Sequence, residues 1–209
     1  KKNEEKKYIN RLAFDEILST FLINSNIRKN FKKKSKIPKN IYPNLIKLIE
    51  KKAGFELTAD QITALNQINL DISSKERMFR LLQGDVGSGK TIVSLIAAIN
   101  VILNSYQVAF MAPTEILAKQ HYNLFLKLFK KKFNVEILTG KTEYTKKKKI
   151  LLNLINKKID ILFGTHALFQ KNLKFKKLGL IIIDEQHKFG VNQRKKLSEK
   201  GGANCDVLV

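Results

Sequence analysis

The sequence predicts an α/β domain with a mostly parallel sheet and helices on both faces, preceded by a short helical linker segment. Three observations carry this. From residue 55 onward, short apolar runs alternate with longer amphipathic stretches, the rhythm of β-α units and a parallel sheet. The run LIII at 180–183 is apolar without alternation, as in a strand covered on both sides. A glycine-rich turn at 84–91 joins one apolar run to a long apolar helical stretch.

Taken in order, residues 8–24 space Leu12, Phe14, Ile17, Leu18, Phe21 and Leu22 as one face of a helix. A basic stretch broken at Pro38 follows. A short helix after Pro43 ends at Gly54, a residue suited to the position just past a helix end. The domain boundary is placed there, with 1–53 as a helical linker and 54–209 as the main domain. Strands are expected at 78–83, 108–112, 134–139, 160–164, 178–184 and 205–209, and helices at 58–71, 89–103, 114–131, 143–156 and 193–200.

Bulk properties narrow the classes. A chain of 209 residues holds one full domain and an appendage. No apolar run approaches the roughly 18 residues a membrane span needs, and the start has no signal-like apolar segment. The chain opens without Met and stops on an apolar, strand-like CDVLV, so it is expected to be a fragment. Cys205 is the only cysteine, which excludes an intrachain disulfide and suits a reducing cytoplasm. His121, His166 and His187 are scattered without metal-ligand spacing. The net charge of +22 suits a polyanion partner. The Lys-, Ile- and Asn-rich composition of an AT-rich genome accounts for that charge equally well.

The turn GDVGSGKT at 84–91 matches G-x-x-x-x-G-K-[ST] in full. Gly84, Gly87 and Gly89 let the backbone, with Ser88, wrap an anion so that successive N–H groups converge on it. The helix that begins there aims its positive end at the same point. Lys90 is placed to reach the β- and γ-phosphates of ATP, and the Thr91 hydroxyl to ligate Mg²⁺. The apolar run 180–183 ends in Asp184 and Glu185, and strand tips are where an open parallel sheet holds its ligand. Asp184 is the candidate metal carboxylate, and Glu185 the candidate base for the attacking water.

The tetrapeptide Asp184-Glu185-Gln186-His187 downstream of that loop resembles superfamily 2 nucleic-acid motors. Further segments resemble motifs of that superfamily in the expected order. FELTADQ at 55–61 is similar to an adenine-reading motif, implying that Gln61 contacts the base and Phe55 packs beside it. Thr58 and Gln61 also form a capping-box pattern that opens a helix. APTEILA at 112–118, LTG at 138–140 and GTHAL at 164–168 resemble DNA-side motifs, implying backbone contacts from Pro113, Thr114, Thr139, Gly140, Thr165 and His166. Gln186 and His187 would couple hydrolysis to movement. LLQGDVGSGKT, APTEILAKQH, GTHALFQ and IIIDEQHKFGVNQR are closest in wording to the RecG group, over about residues 55–209; Lys188 stands where Arg is usual.

That resemblance implies a RecA-like P-loop domain, the ATP-binding half of a helicase that remodels branched or forked DNA in repair and recombination. It also implies two partner domains of the same protein: a wedge domain and a second RecA-like domain that carries an arginine finger. Such a finger is worth about 10³–10⁵ in rate, so this chain alone is expected to bind ATP and Mg²⁺ weakly and hydrolyse poorly. A transcription-repair coupling translocase shares GDVG-x-GKT and DEQH-x-FG and is the nearest alternative. A non-catalytic, nucleotide-gated DNA-binding module is the alternative from another class. No membrane role is expected.

Overall fold

The computed structural model describes residues 35–85, 87–129, 132–170, 172–185, 202 and 204–209, with single positions between 8 and 25. The expected helix at 193–200 lies outside the described residues, as do Gln186, His187 and Val86. Described positions between 8 and 25 are helical, and Leu12, Phe14, Ile17, Leu18, Phe21 and Leu22 are exposed there.

Six strands form one sheet: β1 (Phe79–Arg80), β2 (Gln107–Met111), β3 (Val135–Leu138), β4 (Ile161–Gly164), β5 (Leu178–Ile183) and β6 (Asp206–Leu208). Their order is β1-β6-β5-β2-β4-β3, and every pair is parallel. The helices are α1 (Leu45–Ala53), α2 (Ala59–Ser73), α3 (Lys90–Leu103), α4 (Glu115–Phe129) and α5 (Tyr144–Ile155). A 3₁₀ turn, His166–Phe169, follows β4. Each expected strand and helix that falls on described residues is present, with ends shifted by a few residues at most.

Alternation along the strands builds two cores. Val108, Phe110, Ile161, Phe163, Leu180, Ile182 and Leu208 point to one face, where they meet Leu45 and Ile49 of α1, Leu65 of α2, Ile96 of α3 and Phe125 of α4. Ala109, Met111, Leu162, Ile181, Ile183 and Val207 point to the other, against Ile150 and Leu154 of α5. Because both faces are covered, β5 is buried along its whole length, which is why 180–183 lacks polar alternation. From Ile92 to Ile102 every residue of α3 is buried, so the helix after the glycine turn is the most enclosed of the fold. An aromatic group fixes α4 to the sheet: Phe110 stacks on Phe163 at 5.2 Å, and Phe125 meets Phe163 edge-on at 5.8 Å. Each such pair adds about 0.5–1.5 kcal/mol beyond burial.

Residues ahead of Gly54 share this core. Besides Leu45 and Ile49 of α1, the segment before it is held by charge. Lys36 Nζ lies 2.6 Å from Asp206 Oδ1, and Lys39 Nζ lies 2.7 Å from Oδ2, with all three side chains fully enclosed. Asp206 Oδ1 also accepts the Met78 N–H at 2.8 Å. Burial, the larger influence, pulls the Lys36 ammonium below its usual range, and Asp206 opposes it. Ser35 forms an antiparallel bridge with Glu76. Gly54 ends α1 in the left-handed conformation, φ 77°, with its N–H on Glu50 O, as its sequence position predicted.

Candidate nucleotide site and nucleic-acid-facing edge

The glycine turn lies between β1 and α3, at the carboxyl-terminal edge of the sheet. Gly87 (φ 84°) and Gly89 (φ 80°) are left-handed, a conformation that costs other residues about 1–2 kcal/mol. A Cβ at Gly89 would push aside the tip of the Gln61 side chain, so the left-handed backbone is what demands glycine. No side chain caps the start of α3, which leaves its first N–H groups directed at the turn, the arrangement that binds anions. Lys90 folds over the turn, its Nζ donating to Gly84 O at 2.6 Å and Asp85 O at 2.7 Å.

Gln61 serves two roles. Its Oε1 accepts the Thr58 N–H at 3.0 Å and its own N–H donates to Thr58 Oγ1 at 3.3 Å, closing the capping box of α2. Its Nε2 donates to Ser88 O at 2.9 Å, tying α2 to the glycine turn. A cleft of about 400 Å³ runs from the turn to Phe55, lined in part by Gln61, Gly87, Gly89 and Thr91. Its far wall comes from Lys52 of α1 and from Leu124, Lys127 and Leu128 of α4. Those four were not legible as site residues, because they belong to no motif and the three on α4 lie more than 30 residues from the glycine turn.

β6 alone separates β1 from β5, so the strands that lead to the two predicted motifs are two spacings apart, about 10 Å. Asp184 follows β5 and donates its N–H to Met111 O at 2.9 Å. Its Oδ1 accepts the Glu185 N–H at 3.1 Å, and its Oδ2 lies 2.8 Å from His121 Nε2. Burial pushes the Asp184 carboxyl upward, but the His121 hydrogen bond and charge, the Glu185 N–H and the charge of Lys90 together hold it below its ordinary range. An ionised carboxylate only accepts, so His121 Nε2 carries the proton in this contact. Glu185 is half-buried with φ 49°, a backbone strain of the kind found at functional sites.

Motif spacing gives His121 no role, since it has no metal-ligand spacing to the other histidines. The available signal was helical spacing: Ala118, His121, Phe125 and Leu128 are the buried face of α4, so this ring had to point toward the sheet.

Along the same edge, register aligns Ile183, Met111, Gly164 and Leu138 across β5, β2, β4 and β3. The three turns expected to face DNA all follow these aligned tips. Of their residues, Thr114, Gly140 and His166 are exposed, Pro113 is partly so, and Thr139 and Thr165 are buried. Thr114 Oγ1 accepts the Leu117 N–H at 3.2 Å, and Thr139 Oγ1 accepts the Lys141 N–H at 3.3 Å; both hydroxyls shape their turns. Among the described residues, no helix is long and apolar enough to cross a membrane.

A glycine turn opening a buried helix and an acidic strand tip two strands away on one parallel sheet are the architecture of the RecA-like α/β class. Residues 58–205 match the DEAD/DEAH box helicase family, and the chain belongs to that family. Within it, the chain is 46% identical to the ATP-dependent DNA helicase RecG of Thermotoga maritima over 201 residues, covering 95% of this chain and 26% of that one. It is 45% identical to the RecG of Aquifex aeolicus over 93% of this chain and 25% of that one. The RecG of Bacillus subtilis is 52% identical over 76% of this chain and 23% of that one. The chain thus spans about a quarter of the length of these relatives. A structure of RecG bound to a three-way DNA junction superposes with a TM-score of 0.80 at 42% identity, over 96% of this chain and 27% of that one. A structure of Mss116p bound to single-stranded RNA and AMP-PNP, at 20% identity and TM-score 0.61 over 80% of this chain and 37% of that one, shares the fold.

Proposed function

We propose that this chain is the ATP-binding motor half of a RecG-type helicase that remodels branched DNA, working with a wedge domain and a second RecA-like domain of the same protein. The observation that carries the reading is that the glycine turn after β1 and Asp184 after β5 stand at the same edge of the parallel sheet, with β6 alone between those two strands.

Lys90, the glycine-turn amides and the start of α3 would bind the triphosphate, while Phe55 and Gln61 would receive the base in the adjoining cleft. The donor set suits Mg²⁺. Among the described residues no group of three or more His, Cys, Asp or Glu could enclose a metal, and Mg²⁺ needs none, since it takes one or two carboxylates together with phosphate oxygens and water. Asp184 and the Thr91 hydroxyl would hold it, and when bound it neutralises charge developing on the phosphates. Glu185 would accept the proton of the attacking water. Pro113, Thr114, Thr139, Gly140, Thr165 and His166 would present backbone and polar groups to a DNA strand along the aligned strand tips, positioning it without reading bases. The similarity of this chain to a RecG solved on a three-way junction supports branched DNA as the partner. In the same reading Gln186 and His187 would couple hydrolysis to movement, and the boundary near Gly54 would separate the motor domain from a helical linker that docks on it through Lys36 and Lys39 against Asp206.

Titration with a fluorescent ATP analogue tests the nucleotide site: Lys90→Ala abolishes binding and Glu185→Gln preserves it. In a chain extended through a second motor domain, Glu185→Gln lowers DNA-stimulated ATP hydrolysis by at least about 10²-fold. Unchanged hydrolysis there favours a nucleotide-gated binding module instead.

A further inference from the structure

His121 stands outside every role assigned so far. It is carried by α4, the helix whose first turn follows the Pro113-Thr114 loop, and its ring is 7% exposed. The ring packs on Phe110 with centroids 4.9 Å apart, which sets its plane, and Nε2 meets Asp184 Oδ2 at 2.8 Å. The opposite carboxylate oxygen takes the Glu185 N–H. Both oxygens of Asp184 therefore have a fixed partner, one from its own backbone and one from a helix that starts at the nucleic-acid-facing edge. A carboxylate on a strand tip is free to rotate about its side-chain torsions unless something outside the strand holds it; among the described residues, His121 is the side chain that does so.

We propose that His121 is a positioning residue for Asp184, holding the carboxylate in the orientation that serves a divalent cation beside the glycine turn. The proposal rests on the nucleotide-site reading above. A buried ring N–H needs a hydrogen-bond partner in any case, but packing on Phe110 does not choose which one. Here the partner is the candidate metal carboxylate, and partners of this kind typically govern metal affinity by about 10–100-fold.

The test compares two amides of equal polarity in the 209-residue chain. His121→Gln carries an N–H close to the place of Nε2; His121→Asn, one carbon shorter, falls short of Asp184. Affinity for mant-ATP is measured with saturating Mg²⁺ and again with EDTA, and the ratio of the two is the readout. In the wild type Mg²⁺ tightens binding. His121→Asn is expected to lose at least about 10-fold of that gain while its EDTA affinity stays at the wild-type level, and His121→Gln is expected to retain most of it. Equal Mg²⁺ gain in Asn, Gln and wild-type proteins overturns the role of His121 and leaves the nucleotide site standing. So does a loss of affinity of the same size in Mg²⁺ and EDTA, which marks a packing role alone. Absence of any Mg²⁺-dependent binding in the wild type overturns the nucleotide-site reading itself.

Discussion

Asp206→Asn is a severe test of how the linker is joined to the motor domain, because it changes one charge and almost no volume. Asp206 is fully buried between two ammonium groups at 2.6 and 2.7 Å. At an effective dielectric constant near 20, each contact represents about 6 kcal/mol of attraction. Much of that offsets the desolvation of three ions, so the net loss on removing the anion is about 3–5 kcal/mol. The amide can still accept from one lysine, but its NH₂ end faces the other, donor against donor. Urea unfolding followed by circular dichroism should give this loss at pH 7. The loss should shrink as pH rises, because burial already lowers the Lys36 pKa and a neutral amine no longer needs the carboxylate. Replacing Lys36 and Lys39 by Met together with Asp206→Leu should recover most of the stability, since a packed apolar cluster can match a buried ionic one. A loss below about 1 kcal/mol for Asp206→Asn refutes the reasoning, for it would mean that the segment at 35–40 is solvated rather than enclosed.

Three further outcomes follow from particular contacts. Gly89→Ala combines a left-handed backbone with a Cβ that would push the Gln61 side-chain amide aside; it should cost about 1–2 kcal/mol in unfolding experiments and weaken binding of a fluorescent ATP analogue. Gln61→Ala removes half of the capping box and the bond to Ser88 O; stability should fall by about 1 kcal/mol, and preference for ATP over GTP analogues should narrow. Burial, with Asp206 adding to it, pushes the Cys205 thiol up to about 12, so the reactive thiolate is suppressed below that pH. Ellman's reagent at pH 8 should react with Cys205 only after denaturant is added.

The elements and the nucleotide motif were set by local sequence. Apolar runs bounded by turns made the strands, Thr58 and Gln61 opened α2, and Gly84, Gly87 and Gly89 fixed the turn, because backbone sterics and periodicity act over a few residues. That the glycine turn and Asp184 each follow a strand was legible as well, since each comes directly after an apolar run. What local sequence could not carry was the strand order, which sets β6 between β1 and β5. Nor could it place His121 against a carboxylate 63 residues away, bring Lys127 of α4 and Lys52 of α1 to one cleft, or choose Asp206 as partner for Lys36 and Lys39. Those contacts depend on which side of the sheet each helix crosses and in what register the strands lie. Long-range packing of both cores settles that at once, whereas a lysine or histidine in the chain looks the same whether solvent or a buried carboxylate awaits it.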